Sequence, residues 1–287
     1  MSSSPVVNRQ SYGKSHVRLA RIDRTANRHE FIELTTSLEM SGNFDAAYTE
    51  ADNSLVVPTD TVKNTVYLLA HRHGVPSIEA FAQLVGRHFL DTYPQLVRVR
   101  ILCEERPWAR LVVDGQEHPH TFSGGASERH TCELTAQRDV LTLRSGLTGL
   151  TLLKTTGSGF SDFMRDQYTT LKETDDRILA TSVEASWPCS DLDADWAGAR
   201  QAIRQAIVTV FANQFSKSVQ HTLYEMARSA FDACPLIDEI EMVMPNRHYL
   251  AAALTSPAMG KNSDVFVPTS EPFGQISATI VRKRQVN

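Results

Sequence analysis

The chain has 287 residues, 41% hydrophobic and 22% charged, with a formal net charge of -4. That length forms one large domain or two of ordinary size, each able to bury its own core. The charge leaves no basic footprint for nucleic acid, and no apolar run approaches the ~20 residues that span a bilayer.

The opening Met-Ser-Ser-Ser-Pro-Val-Val-Asn-Arg-Gln lacks the apolar core of a signal peptide, and the closing Arg-Lys-Arg-Gln-Val-Asn lacks a Ser-Lys-Leu type address. A cytoplasmic protein is expected. The four cysteines, Cys103, Cys132, Cys189 and Cys234, are widely spaced with no Cys-x-x-Cys pair, so reduced, partly buried thiols are expected.

In chain order, alternation predicts strands over 15–23 and 30–40, with Ile32, Leu34 and Leu38 on one face. A helix begins near Asp60, which fits an N-cap, carries Val62, Val66 and Leu69 as its stripe and ends at Gly74. Pro76 opens a second helix at its first turn, with Ile78, Phe81, Ala82, Val85 and Phe89 spaced for one buried face. Strands follow over 97–104 and 108–113. The second half repeats the order: strands over 146–155 and 177–187, helices over 195–215 and 218–233, strands over 237–244 and 275–282. The shared order is strand–strand–helix–helix–strand–strand, an α+β pattern of antiparallel sheets with helices on one face. It divides the chain into 1–143 and 144–287. Each sheet keeps a second face and unpaired edges, which oligomerisation would cover.

The chemistry-bearing residues fall in five short segments. They are Tyr12-Gly13-Lys14, Val57 to Thr65, Leu150 to Arg177, Ser218-Val219-Gln220 and Met244 to Tyr249. Taken singly, most are bland. Lys14 reads as a solvated lysine at a strand start, Thr59 as a residue where a helix begins, Phe160 as packing and Arg177 as a surface residue. Asn246 after Pro245 suits a turn. Yet a threonine passes a proton only with a partner, and a lysine of lowered pKa serves. The Arg177 guanidinium is a planar two-donor fork, and Gln220 both donates and accepts.

Together, in this order, the five segments resemble the signature of urate oxidase (uricase), in a bacterial-type member without a peroxisomal address. The resemblance implies two tandem tunnelling-fold (T-fold) domains, each an antiparallel four-stranded sheet with two helices on one face. It implies a homotetramer around a central barrel, with active sites built from two chains. The implied reaction oxidises urate with dioxygen and water to 5-hydroxyisourate and hydrogen peroxide, with neither metal nor organic cofactor. Lys14, Thr59 and His248 would be catalytic, relaying protons. Phe160 would stack on the purine while Arg177 and Gln220 pinch its edges. The backbone amides at Asp60 and Val219 would face the substrate, and Asn246 would hold dioxygen or water over the ring plane.

Two rivals stay in view. One is a T-fold enzyme acting on a pterin or guanine nucleotide, which would anchor its base with a glutamate and often need zinc. The other is a silent purine-binding scaffold, favoured only if the Lys14 and Thr59 pair were broken. His71-Arg72-His73 and His118-Pro119-His120 have a spacing that suits a metal on a strand. The first pair lies at a predicted helix end and should diverge. The second lies in a polar hairpin, and spacing alone does not make a ligand set.

Overall fold

Alternation decides which face of the first sheet is buried. The computed structural model describes residues 5–252 and 264–283. The described residues divide into two units, one holding residues up to 146 with 188–197, the other 147–187 with those from 198 onward.

The first unit begins with β1 (Tyr12–Arg24) and β2 (His29–Gly42), followed by α1 (Asp45–Thr49), α2 (Thr59–His73) and α3 (Ile78–Thr92). β3 (Leu96–Arg106), the hairpin of β4 (Ala109–Val113) and β5 (Gln116–Ser123), and β6 (Arg129–Ala136) complete it. β7 (Leu141–Lys154) carries the chain across the boundary. The sheet order is β1-β2-β3-β6, with each pair antiparallel. Register stacks its inward residues in rows: Thr36 opposite Cys103 opposite Cys132, Leu38 opposite Ile101 opposite Leu134, Met40 opposite Val99 opposite Ala136. All nine are buried. The other face carries ion pairs between neighbouring strands, Arg98 with Glu39 and Arg100 with Glu133.

α2 lies against β1, and α3 against β3 and β6. α3 buries Ile78, Phe81, Ala82, Val85 and Phe89, as its stripe predicts. Each such large side chain contributes about 1.5–3 kcal/mol. Gly86 lets the helix approach closely, because a Cβ there would come within 2.7 Å of Leu134 Cδ2. Gly74 closes α2 with φ 75°, a left-handed conformation that suits glycine.

Three expectations need correction. The fourth strand of this sheet is β6, not the segment over 108–113. That segment is apolar, but Val112 and Val113 are exposed, and it pairs only with β5. Pro76 lies outside α3; the N-cap is Ser77, whose hydroxyl accepts from the Ala80 N–H at 3.1 Å. Asp60 is not an N-cap either, because α2 already starts at Thr59 after Pro58. Its carboxylate instead accepts from Lys63 and Asn64, one turn on.

In the second unit, β7 is followed by β8 (Leu179–Pro188), α4 (Trp196–Asn213), α5 (Val219–Ala233) and β9 (Glu239–Asn246). A short pair, β10 (Tyr249–Ala251) with β11 (Phe266–Pro268), precedes β12 (Gly274–Val281). The order is β7-β8-β9-β12, with β9 antiparallel to both β8 and β12. α5 lies on β9 and β12 and buries Leu223, Met226, Ala227 and Ala230. All four cysteines are buried and none is in a disulfide. Burial pushes the Cys103 thiol up to about 12, which removes it from thiolate chemistry.

Candidate active site

The predicted residues fall into the two units, Lys14, Thr59 and Asp60 in the first and the others in the second. The first group forms where β1 begins beside the start of α2. Tyr12 and Lys14 stand opposite Met40 and Leu38. Those partners face the core, so both side chains leave the strand on the helix side. Gly13 between them has no room for a side chain, since a Cβ would lie 1.9 Å from the Leu38 carbonyl oxygen. The register then shifts between Lys14 and Val17, with His16 at φ 55°. The extra residue turns Val17 back into the core and isolates Lys14 at the edge of a bulge.

The Tyr12 hydroxyl accepts the Val57 N–H at 2.8 Å, which ties the strand to the segment leading into α2. Thr59 opens that helix and is exposed. The Asp60 carboxyl is held below its usual value, first by its hydrogen bond from Lys63 and further by the positive charges of Lys63 and Lys14. Lys14 therefore stands close enough to the start of α2 to act on it electrostatically. The first N–H groups of a helix have no intrahelical partner, so the amides here are open to an acceptor.

The second group is built on the irregular segment between β7 and β8. Phe160 and Thr174 exchange backbone hydrogen bonds of 2.7 and 3.1 Å. Gly159 donates to the Ser216 carbonyl, and Ser216 donates to that of Gly157, both at 2.9 Å. These bonds dock the segment beside the beginning of α5. Asp176 closes its neck, accepting from the Thr156 hydroxyl and the Gly157 N–H. Arg177 donates its backbone N–H to Ser158 at 2.8 Å.

The Arg177 guanidinium carbon lies 5.3 Å from the centroid of the Phe160 ring. Phe163 stacks on Phe160 at 5.0 Å with an 11° tilt. Arg177 is half-buried; its Nε is buried with no hydrogen-bond partner, and no carboxylate pairs with it among the described residues. Burial lowers its pKa from the usual value, yet a guanidinium stays charged. An unpaired, partly desolvated cation beside an aromatic face suits a flat anion.

Ser218 caps α5, its hydroxyl accepting from the His221 N–H at 3.1 Å. This fixes Val219 and Gln220 as the first two helical residues, with Val219 buried and the Gln220 side chain exposed. Asn246 ends β9 opposite Gly274. The next residue, Arg247, donates to the Ala180 carbonyl at 2.9 Å, so the end of β9 lies beside the start of β8, three residues on from Arg177. The His248 carbonyl accepts from the Thr269 N–H and hydroxyl, and its ring is half-buried.

The structure therefore places Phe160 with Arg177 in one contact and brings Lys14 to the start of α2, where Thr59 and Asp60 stand. It also adds contacts of Tyr12, Phe163 and Asp176, which lie within the five segments but had no part of their own in the sequence reading. Tyr12 had a signal, since it shares the strand face of Lys14. Phe163 and Asp176 had none, because the segment is aperiodic. The rings of His118 and His120 lie 4.6 Å apart at 88°, with His29 5.9 Å from His120. No group of three metal-ligating side chains forms among the described residues.

A family model described as uricase matches residues 10–135 and 143–277. The chain is 38% identical to the uricase of Arthrobacter globiformis over 278 residues, covering 97% of this chain and 90% of that one. It is 36% identical to the uricase of Danio rerio over 281 residues, covering 96% and 94%. The crystal structure of the Arthrobacter globiformis uricase superposes with a TM-score of 0.89 at 37% identity, over 99% of this chain and 98% of that one. The α+β architecture is that of the T-fold. With the match running through both units and across both groups of residues, the chain belongs to the uricase family.

Proposed function

We propose that this chain is a urate oxidase that converts urate, dioxygen and water into 5-hydroxyisourate and hydrogen peroxide. The observation that carries the reading is the unpaired, half-buried Arg177 guanidinium held against the Phe160 ring, within a chain of the uricase family. A urate anion stacks on Phe160 while Arg177 grips one edge and Gln220 the other. The amides at Asp60 and Val219 take further ring atoms. These contacts orient the purine and compensate the arginine charge that burial leaves unsolvated.

Lys14 and Thr59 draw a proton from the bound urate, and His248 continues the relay. The electron-rich anion then gives two electrons to dioxygen, which leaves as peroxide after taking two protons. Water adds to the oxidised ring and supplies the new hydroxyl. Asn246 holds dioxygen and then that water over the ring plane. The substrate itself supplies the electrons, so the reading requires neither metal nor organic cofactor.

The two T-fold domains of this reading are 1–143 and 144–287. Lys14 and Thr59 fall in the first, and Phe160, Arg177, Val219, Gln220, Asn246 and His248 in the second. The reading assembles them across subunit interfaces of a homotetramer in the cytoplasm. No helix among the described residues is long and apolar enough to cross a membrane.

The test is the loss of urate absorbance in air by chelator-treated protein, with peroxide measured in parallel. One peroxide per urate is the expected result. Activity that vanishes on chelation and returns with zinc or copper contradicts it.

A further inference from the structure

We infer that Tyr12 is a positioning residue for the Lys14 and Thr59 relay, acting through its hydrogen bond with the Val57 backbone. This rests on the reading of those two residues as the relay. The geometry is symmetric in sequence. The bond joins Tyr12 to Val57 at 2.8 Å; Lys14 stands two residues after the first partner and Thr59 two residues after the second.

Neither two-residue arm is slack. On the strand side, Gly13 is pressed against the Leu38 carbonyl, where a Cβ would come within 1.9 Å. Lys14 holds its register opposite Leu38, immediately before the bulge. On the helix side, Val57 is 3% exposed and is followed by Pro58 at φ -56° and ψ 136°. The proline ring fixes φ, so a shift at Val57 passes to Thr59 instead of being absorbed. The Pro58 carbonyl is also held, accepting the Val62 N–H at 3.1 Å.

Tyr12 is itself braced. Its ring meets Phe44 edge-on at 4.9 Å and 85°, and Phe44 is 2% exposed. Burial raises the phenol pKa, outweighing the Val57 hydrogen bond that lowers it. The hydroxyl therefore stays protonated at neutral pH and serves as a fixed neutral acceptor. A buried N–H left without an acceptor is unfavourable, so removing the oxygen forces the Val57 segment to move. A relay depends on the distance between its members. Misplacement of about 1 Å costs on the order of 100-fold in rate, and a partial shift less.

The experiment compares Tyr12→Phe with the parent in urate turnover, inhibitor affinity and the pH profile of kcat. Tyr12→Phe keeps the ring on Phe44 and loses only the acceptor. The expected result is a fall of about tenfold in kcat, a shifted pH profile, and little change in KM or in binding of a xanthine-type inhibitor. In a Lys14→Met background the same change should add nothing, because no relay is left to misplace. If Tyr12→Phe keeps the parent kcat and pH profile while Lys14→Met loses turnover, the inference about Tyr12 is wrong and the relay reading stands. If either Lys14→Met or Thr59→Ala keeps full turnover, the relay reading fails and takes this inference with it. Should Tyr12→Phe not fold, Phe44→Leu loosens the brace while leaving both hydrogen-bonding groups. It should shift the pH profile of kcat away from the parent's, and an unshifted profile overturns the inference.

Discussion

Arg177 lies over Phe160, its guanidinium carbon 5.3 Å from the ring centroid, with no carboxylate partner among the described residues. Both side chains leave the same docked segment. Arg177→Ala removes a charged two-donor grip worth about 3 kcal/mol, and kcat/KM for urate should fall roughly 100-fold. Gln220→Ala should weaken binding less, since its amide is neutral. Affinity for a xanthine-type competitive inhibitor checks both. Parent-like binding in the two variants would remove them from the substrate contact.

Ser218→Ala should loosen the start of α5, where the hydroxyl accepts from the His221 N–H. Loss of such a cap costs about 1 kcal/mol of stability, and it frees Val219 and Gln220 to shift. The expected outcome is a lower denaturant midpoint together with a raised KM. A lower midpoint with unchanged KM would separate the cap from the site.

Acid should weaken the first unit through His88. Burial lowers the pKa of this imidazole, opposed by the Asp91 charge and reinforced by that of His73. The folded value lies below the unfolded one, so the unfolded chain binds the proton first. The contribution is fully present above the unfolded pKa of about 6.5 and is lost as pH falls from there through the folded value. Urea midpoints measured across this window should fall with acidification, and His88→Gln should flatten that part of the curve. An identical slope in the variant would assign the effect elsewhere.

Sedimentation should give a four-chain species. Mixing two impaired variants, Lys14→Met and Arg177→Ala, at subsaturating urate under conditions that exchange subunits should restore part of the turnover if each site draws on two chains. A monomer under assay conditions, or exchange without recovery, contradicts the shared site.

The helices were legible because their stripes follow the helical period. Val62, Val66 and Leu69 in α2 and Ile78 to Phe89 in α3 are buried as their spacing predicts. β6 was hidden because its inward residues, Cys132, Leu134 and Ala136, include only one large apolar side chain. The apolar Leu111, Val112 and Val113 drew the reading to a hairpin that leaves them exposed. Acidic residues favour helix starts, which suggests Asp60 as a cap; the helix begins one residue earlier, at Thr59, and the carboxylate turns to Lys63 and Asn64. The segment carrying Phe160 and Arg177 has no period at all. Backbone bonds to Ser216 and Thr174 shape it, and these are long-range pairings that only the fold reveals. Its residues were found through the family signature instead.

The most direct test is a double-mutant cycle on urate turnover with Lys14→Met, Thr59→Ala and the pair together. Each single variant should fold, bind inhibitor and lose turnover. Two members of one relay are not independent, so the double variant should be little worse than the poorer single one. Losses that add in the double variant, or full turnover in either single one, would contradict a Lys14 and Thr59 relay.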